Sequence, residues 1–548
     1  MEQDGVNKKI SGSYHKEWGA VCKNGTFVGS KQHGVLAFKG IPYAKPPVDA
    51  LRWKPPVPVE ESSDVYEAVH FGKASIQTKT ADEKASLCQQ GEDCLYLNVW
   101  ANCETQSRKR PVMVYIHGGS YGWGGTMDPL FCGENFVRAH KEVILVTIGY
   151  RLGILGFVDF SSVPGGEAYE SSCNLGLLDQ VQALRWIREN ISAFGGDPEN
   201  ITIFGESAGG GSVSLLSVMP QAKGLFQRVI AQSGSVALTY SKEECQPFTE
   251  KLLECTGAET MEQLLKLSEQ DLMKYNQKVK KYCNFPQRDG KILPEDLFAA
   301  YARGDAAHVD MLLGSNADEA RFWIKKAGGI AGFRLQIPVL FENNEKRLSR
   351  EDKKRVKQFF RVQHREKVWK ITEFYNELMF RIPAIYQAEQ QHKNGAKAYM
   401  YYWVYPNGNK GYGACHATEL AYVFNNLLDN DLSGDNISIP LAKNVQQMWV
   451  NFAVSGDPSL PELSWPEYDE ENRRVMVLGE ECQVVDHLLE EQREAIAPLL
   501  SYHFTGSQVN LSYRVPQIYK IVTALAATVT GVVTLGKWLW KKRNRKGK

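Results

Sequence analysis

Between Pro111 and Ser233 the chain alternates short apolar runs with a helix-patterned stretch. Residues 112–116 (VMVYI), 143–148 (VILVTI), 201–204 and 229–231 are almost wholly apolar. Such runs, bounded by turn residues, suit strands covered on both faces, as in a parallel sheet. Residues 174–190 lie between two of them and place Leu177, Val181, Leu184 and Ile187 at steps of four, three and three, one face of a helix. The stretch Gly195-Gly196-Asp197-Pro198 breaks it. Strand, helix, strand in this order demands a right-handed crossover and an α/β fold with a large, mostly parallel central sheet.

After Ser233 the pattern changes. Residues 241–281 and 349–391 read as helical, rich in Glu, Lys, Gln and Leu. Two further strand candidates follow the same logic: 308–314 leads into Asp318-Glu319, and 398–405 leads, through a loop of small residues, to His416. No repeat or low-complexity linker interrupts them, so one sheet continues across helical insertions. The expected division is a catalytic domain over 1–505, a linker over 506–518, a membrane-anchor helix over 519–540 and a basic tail over 541–548.

The anchor rests on residues 521–536, 16 positions without a charge between Lys520 and Lys537. With both lysines snorkelling, 519–540 supplies 22 residues, against the roughly 20 that a spanning helix needs. Trp538 and Trp540 suit the headgroup level. The competing reading is a helix that docks on the domain or lies in the interface. The basic tail favours the cytosolic side, which would put the large domain outside. The opening MEQDGVNKKI has no apolar core of a signal peptide, which keeps the domain inside. The expectation is a cytoplasmic catalytic domain held at a membrane.

Charge excludes one class of partner. The formal net charge of the 548 residues is +1 and no basic patch is interleaved with aromatics, so nucleic acid is not expected. The 11 cysteines are odd in number and contain no CxxC pair, which argues against structural zinc and for reduced thiols. Five N-x-S/T sequons mean little without secretion.

The stretch FGESAGGGS (204–212) closes one apolar run and opens a helix. It fits G-x-S-x-G at a strand-to-helix turn, in which a strained serine presents its hydroxyl at a helix N terminus. The bland alternative is a glycine-rich turn without chemistry. His117-Gly118-Gly119-Ser120 follows the run 112–116, and glycines there let backbone N–H groups approach a tetrahedral oxyanion. A serine nucleophile on such a sheet precedes its acid, which precedes its histidine. Asp318 or Glu319 and then His416 meet that order, and the pattern does not separate the two acids. His364, His392, His487 and His503 read as surface residues, and His117 as support for the oxyanion loop. Glu206, beside the serine, reads as pocket wall.

Taken together, FKGIPYA (38–44), GEDCLYLNV (91–99), IHGG (116–119), NLGLLDQ (174–180), FGGDP (194–198), FGESAGG (204–210) and QSG (232–234) resemble the type-B carboxylesterases. That group includes para-nitrobenzyl esterases, cholinesterases and liver carboxylesterases, and the likeness runs in order through most of residues 10–470. The resemblance implies an α/β-hydrolase fold and a triad of Ser207, Glu319 and His416. It also implies an oxyanion hole from the N–H groups of Gly119, Ser120 and Ala208, with Ser120 standing where the family usually has glycine. Phe285, Phe322 and Trp323 become candidate substrate-binding residues, and Phe285-Pro286 with Asp289 match a pocket-lining segment.

Two departures narrow the reading. The family usually bridges the position of Cys94 to a cysteine near position 75, where this chain has Ser75, with only Cys88 close by. Cys245 and Cys255 sit where relatives form a second bridge, so that pairing is open. No tryptophan lies between Ser75 and Cys94, which removes the indole that stacks on choline in cholinesterases. The implied function is a serine hydrolase of small to medium carboxylic esters, without metal or cofactor. The alternatives are an inactive binding protein on the same fold, or an amidase, thioesterase or lipase of the same family.

Overall fold

The computed structural model describes residues 7–77, 89–104, 109–279, 285–326, 348–363, 367–406, 408, 411–428 and 434–502. The segments 506–518, 519–540 and 541–548 lie outside the described residues, as do Cys88, Cys283, His364 and His503. Among the described residues no helix is long and apolar enough to cross a membrane.

An 11-stranded sheet organises the molecule. Its strands are β1 (Ser30–Gln32), β2 (Val35–Pro42), β3 (Tyr96–Asn102), β4 (Arg110–Ile116), β5 (Ile144–Ile148) and β6 (Gly196–Glu206). They continue with β7 (Arg228–Gln232), β8 (Asp310–Asn316), β9 (Ala398–Trp403), β10 (Val475–Leu478) and β11 (Gln483–Val485). The spatial order is β11-β10-β9-β8-β7-β6-β4-β5-β3-β2-β1. Strands β4 to β10 run parallel to their neighbours within that block, and the edges are antiparallel. The central strands are buried on both faces, which is why they read as continuous apolar runs.

The apolar runs are found as strands, with small shifts. The run 201–204 extends to Gly196–Glu206 because its first residues pair irregularly: register slips between Gly196 and Ile201, so the Gly195-Gly196-Asp197-Pro198 breaker enters the strand as a bulge. The candidate 398–405 stops at Trp403. The helix expected over 174–190 is α1 (Leu175–Asn190). The sequence reading did not single out β1, β2, β3, β10 and β11: β1 and β11 are three residues long, β2 and β3 mix polar with apolar residues, and β10 is a four-residue apolar run that joins the parallel block.

Strand order positions the chemistry. The chain leaves β4 for β5 on one side and returns to β6 on the other. At such a switch the carboxyl ends of the strands open into a crevice. The ends of β4 and β6 carry His117-Gly118-Gly119-Ser120 and Ser207. The segments after β8 and β9 carry Asp318-Glu319 and His416.

Cys245 and Cys255 share one helix, Lys242–Thr256. Ten residues of helix put about 15 Å between them, beyond the reach of a disulfide, and both are unpaired thiols. Ser75 occupies the other expected bridge position. Its hydroxyl accepts the Leu152 N–H at 3.0 Å, and Cys94 stays a buried free thiol.

Candidate active site

Ser207 joins β6 to α2 (Ala208–Leu216) with φ +58° and ψ −121°, a strained conformation for any residue with a side chain. Its N–H donates to the Gln232 carbonyl at 2.9 Å, locking the turn onto β7. The turn tolerates only glycine at its flanks. A Cβ on Gly205 would lie 2.6 Å from the Ile116 carbonyl oxygen, and one on Gly209 1.9 Å from it. Ser207 is left partly exposed at the N terminus of α2, where the helix dipole favours developing negative charge.

The loop after β4 packs against this elbow. A Cβ on Gly118 would lie 2.7 Å from the Glu206 carbonyl oxygen and 3.1 Å from Ser207 Cβ. Gly119 has φ +109°, and a Cβ there would come within 2.0 Å of the Trp123 carbonyl oxygen. Ser120 and Tyr121 continue with φ +53° and +56°, so the serine that replaces a family glycine is itself in the left-handed region. His117 stays out of the chemistry. Its Nδ1 donates to the Gly118 carbonyl at 2.8 Å, and its ring stacks on Tyr150 at 4.5 Å. Burial lowers its pKa to about 4, leaving it neutral.

The two acids that residue order left tied, and that the resemblance resolved toward Glu319, differ in geometry. Glu319 Oε2 accepts from His416 Nδ1 at 2.6 Å, and Oε1 accepts the Asn316 N–H at 2.7 Å. Asp318 turns away: it accepts the Ala414 N–H at 3.0 Å and pairs with Arg321 at 2.8 Å. Gly413, at φ +59°, leaves room for that carboxylate, since a Cβ there would lie 2.0 Å from Asp318 Oδ2. Asp318 fastens the loop that carries His416, and Glu319 faces the imidazole.

Glu206 does more than line a wall. Its Oε1 lies 3.0 Å from His416 Nε2, an ion-pair distance without the alignment of a hydrogen bond. Glu419 is the third buried carboxylate nearby, accepting from Asn316 Nδ2 at 2.6 Å and Gln232 Nε2 at 3.2 Å. Burial pulls the His416 pKa down, but Glu206, Glu319 and Glu419 outweigh it and raise it to about 9. Burial raises Glu206 to about 8, with repulsion from Glu419 and Glu319 adding and His416 opposing. The one clue to Glu206 in the sequence was its place before a sharp reversal, which keeps its side chain on the same rim as Ser207.

A model of the carboxylesterase family matches residues 18–496 of the chain. The chain belongs to that family. A para-nitrobenzyl esterase of Bacillus subtilis is 36% identical over 494 residues, covering 86% of this chain and 97% of that protein. Liver carboxylesterase B-1 of Rattus norvegicus is 31% identical over 505 residues, covering 81% and 86%. The solved carboxylesterase EST55 of Geobacillus stearothermophilus superposes with a TM-score of 0.79 at 32% identity, covering 87% of this chain and 99% of that one. The fold is the α/β-hydrolase fold of those neighbours, and this carboxylesterase is a carboxylic ester hydrolase.

Aromatic rings bound the carboxylesterase site. The Trp323 and Phe322 rings lie 4.9 Å and 5.9 Å from the imidazole of His416. Phe380, which the sequence reading did not single out, lies 5.1 Å from it. Phe285 packs on Tyr121 at 5.7 Å and on Tyr240 at 5.1 Å, so it backs the oxyanion loop. Asp289 closes its own turn, its Oδ1 accepting the N–H groups of Lys291, Ile292 and Leu293. His392 and His487 are exposed, as a surface role requires.

Proposed function

We propose that this carboxylesterase cleaves small to medium carboxylic esters by two-step acyl transfer through Ser207, His416 and Glu319. The 2.6 Å contact between His416 Nδ1 and Glu319, on loops that meet the strained elbow, is the observation that carries the reading. In the first step Ser207 Oγ attacks the ester carbonyl carbon and its proton passes to His416 Nε2. The N–H groups of Gly119, Ser120 and Ala208 hold the oxyanion. The C–O bond to the alcohol then breaks, with the proton returning from His416 to the leaving oxygen. Water attacks the acyl-enzyme with His416 again as base, releasing the acid and Ser207. Glu319 holds the imidazole tautomer and stabilises the imidazolium. Phe285, Phe322 and Trp323 bound the substrate.

Stopped-flow hydrolysis of p-nitrophenyl acetate tests the acyl-enzyme. The expected result is a covalent acetyl adduct in acid-quenched enzyme, located on the peptide that carries Ser207. Turnover with an adduct elsewhere, or with none under saturating substrate, contradicts the assignment.

We also infer that residues 519–540 hold the catalytic domain, bounded at about residue 505, to the cytoplasmic face of a membrane. The uncharged stretch between Lys520 and Lys537 and the flanking tryptophans support this. Deleting residues 519–548 is expected to release activity into the detergent-free fraction. Membrane retention that survives the deletion rules the anchor out.

A further inference from the structure

Ahead of the helix α3 (Ile382–Lys393), the chain winds one turn of π-helix over Glu377–Arg381 (ELMFR). The Ile382 N–H reaches back five residues to the Glu377 carbonyl, and all five side chains of the turn are buried. A π-turn inserts one extra residue into a helix and is frequent at functional sites. Here the turn touches the catalytic machinery at three points.

Asn376, just before the turn, accepts the Ala320 N–H at 2.8 Å and donates to the Ala317 carbonyl at 3.3 Å. It therefore brackets Asp318 and Glu319. The Met379 carbonyl accepts from Ser235 Oγ at 3.4 Å, close behind the elbow. Phe380 lies 5.1 Å from the His416 ring and stacks on Trp323 at 6.1 Å with an interplanar angle of 9°.

The turn is closed by a buried ion pair. Arg381 Nε donates to both carboxylate oxygens of Glu377 at 2.9 Å, and Nη2 lies 2.8 Å from Oε2. Nη1 and Nη2 reach the carbonyls of Leu488 and Leu489 at 3.2 Å and 3.4 Å. Stability alone does not call for this arrangement, because well-packed apolar residues do as well as a buried ion pair in such places. What the pair supplies is geometry: a two-pronged fork fixed at both ends. Rewinding the turn as ordinary α-helix shifts the register by one residue, a rotation of about 100°, and carries Phe380 off the imidazole.

We propose that the Glu377–Arg381 pair is a positioning device for ester selectivity. A spacing of four also suits an ordinary α-turn, so it is the added grip on the Leu488 and Leu489 carbonyls that fixes Arg381 and its neighbour Phe380, which covers the His416 ring beside Trp323 and limits the bulk of the ester group that fits there. Arg381 touches no substrate; it acts through Phe380. The proposal rests on His416 being the catalytic base.

The test uses the full-length protein and the variants Phe380→Ala, Arg381→Met and Arg381→Lys, each titrated for active sites with a fluorophosphonate. kcat and KM are measured for p-nitrophenyl esters of increasing acyl length and for acetate esters of increasingly bulky alcohols. Phe380→Ala is expected to shift the bulky-to-small ratio of kcat/KM by about tenfold or more in one of the two series, the scale of pocket selectivity. Arg381→Met is expected to move the same ratio in the same direction, mainly through KM. Arg381→Lys keeps the charge but loses the fork, and its ratio is expected between those of wild type and Arg381→Met. Should Arg381→Met fail to accumulate as folded protein, the Arg381→Lys ratio decides. A purely structural role scales every ester equally with the titrated active fraction. Ratios that stay within twofold of wild type in both series, with labelling intact, overturn the proposal and leave the catalytic triad standing. Wild-type protein that hydrolyses esters but does not label overturns the triad instead.

Discussion

The Nε2 atom of His416 stands 3.0 Å from Oε1 of Glu206, the residue immediately before Ser207. The nitrogen that must take the serine proton thus faces a carboxylate, while Nδ1 is held by Glu319 at 2.6 Å. An imidazole between two carboxylates favours its protonated form, and the base has to be neutral to act. If His416 is the base proposed above, Glu206 helps Glu319 and Glu419 to set the pH at which it becomes neutral.

The sign follows directly. With the His416 pKa raised to about 9, the free enzyme holds the imidazolium at neutral pH, and kcat/KM rises as pH climbs through that range. Glu206 ionises in the same range, and its charge then favours the imidazolium; Glu206→Gln removes that charge, lowers the His416 pKa and moves the acid limb to lower pH. The pH profile of kcat/KM for p-nitrophenyl acetate checks this. A limb that stays in place, or moves upward, contradicts the role given to Glu206.

The neighbouring acids are expected to behave differently. Glu319→Gln loses the carboxylate that orients His416, and kcat is expected to fall by about 10³–10⁴-fold. Asp318→Asn weakens the pair with Arg321 that fastens the His416 loop. It is expected to lower the melting temperature while costing less than about tenfold in kcat, since it touches no reacting atom. Equal kinetic losses in the two variants contradict the separation.

Gly119→Ala tests the oxyanion loop. A methyl group there meets the Trp123 carbonyl at 2.0 Å and must adopt φ +109°. The loop has to shift, and kcat is expected to drop by about 10²–10³-fold, the loss of one oxyanion donor. An unchanged KM with wild-type kcat contradicts it.

Cys245 and Cys255 are expected to remain thiols under air oxidation, because one helix holds them apart. Alkylation of denatured, unreduced protein followed by peptide mapping should find both modified. Protection of the two together contradicts the helix.

Six of the seven strands of the parallel block were legible because strands buried on both faces have to be apolar runs; the seventh, β10, is an apolar run of only four residues and was passed over. The chain order of Ser207, an acid and His416 was legible because the elbow motif restricts where its partners fall. Residue order alone did not choose between Asp318 and Glu319; the family resemblance pointed to Glu319, and the fold gives the physical reason, since Asp318 faces away toward Arg321 and Ala414. Glu206 was read as pocket wall because the triad acid is expected after a later strand; its approach to His416 depends on side-chain direction at a reversal, which chain order does not give. Phe380 and its π-turn were invisible because one inserted residue leaves a helical pattern almost unchanged.

The most direct test of the whole account is fluorophosphonate labelling of wild type against Ser207→Ala, followed by mass spectrometry, with ester hydrolysis measured on the same samples. The account predicts one equivalent of label on Ser207 in the wild type. It predicts no label and no p-nitrophenyl acetate hydrolysis above the weak residual rate in the variant. A Ser207→Ala protein that still labels stoichiometrically, or still turns over at the wild-type rate, places the nucleophile elsewhere and contradicts the central claim.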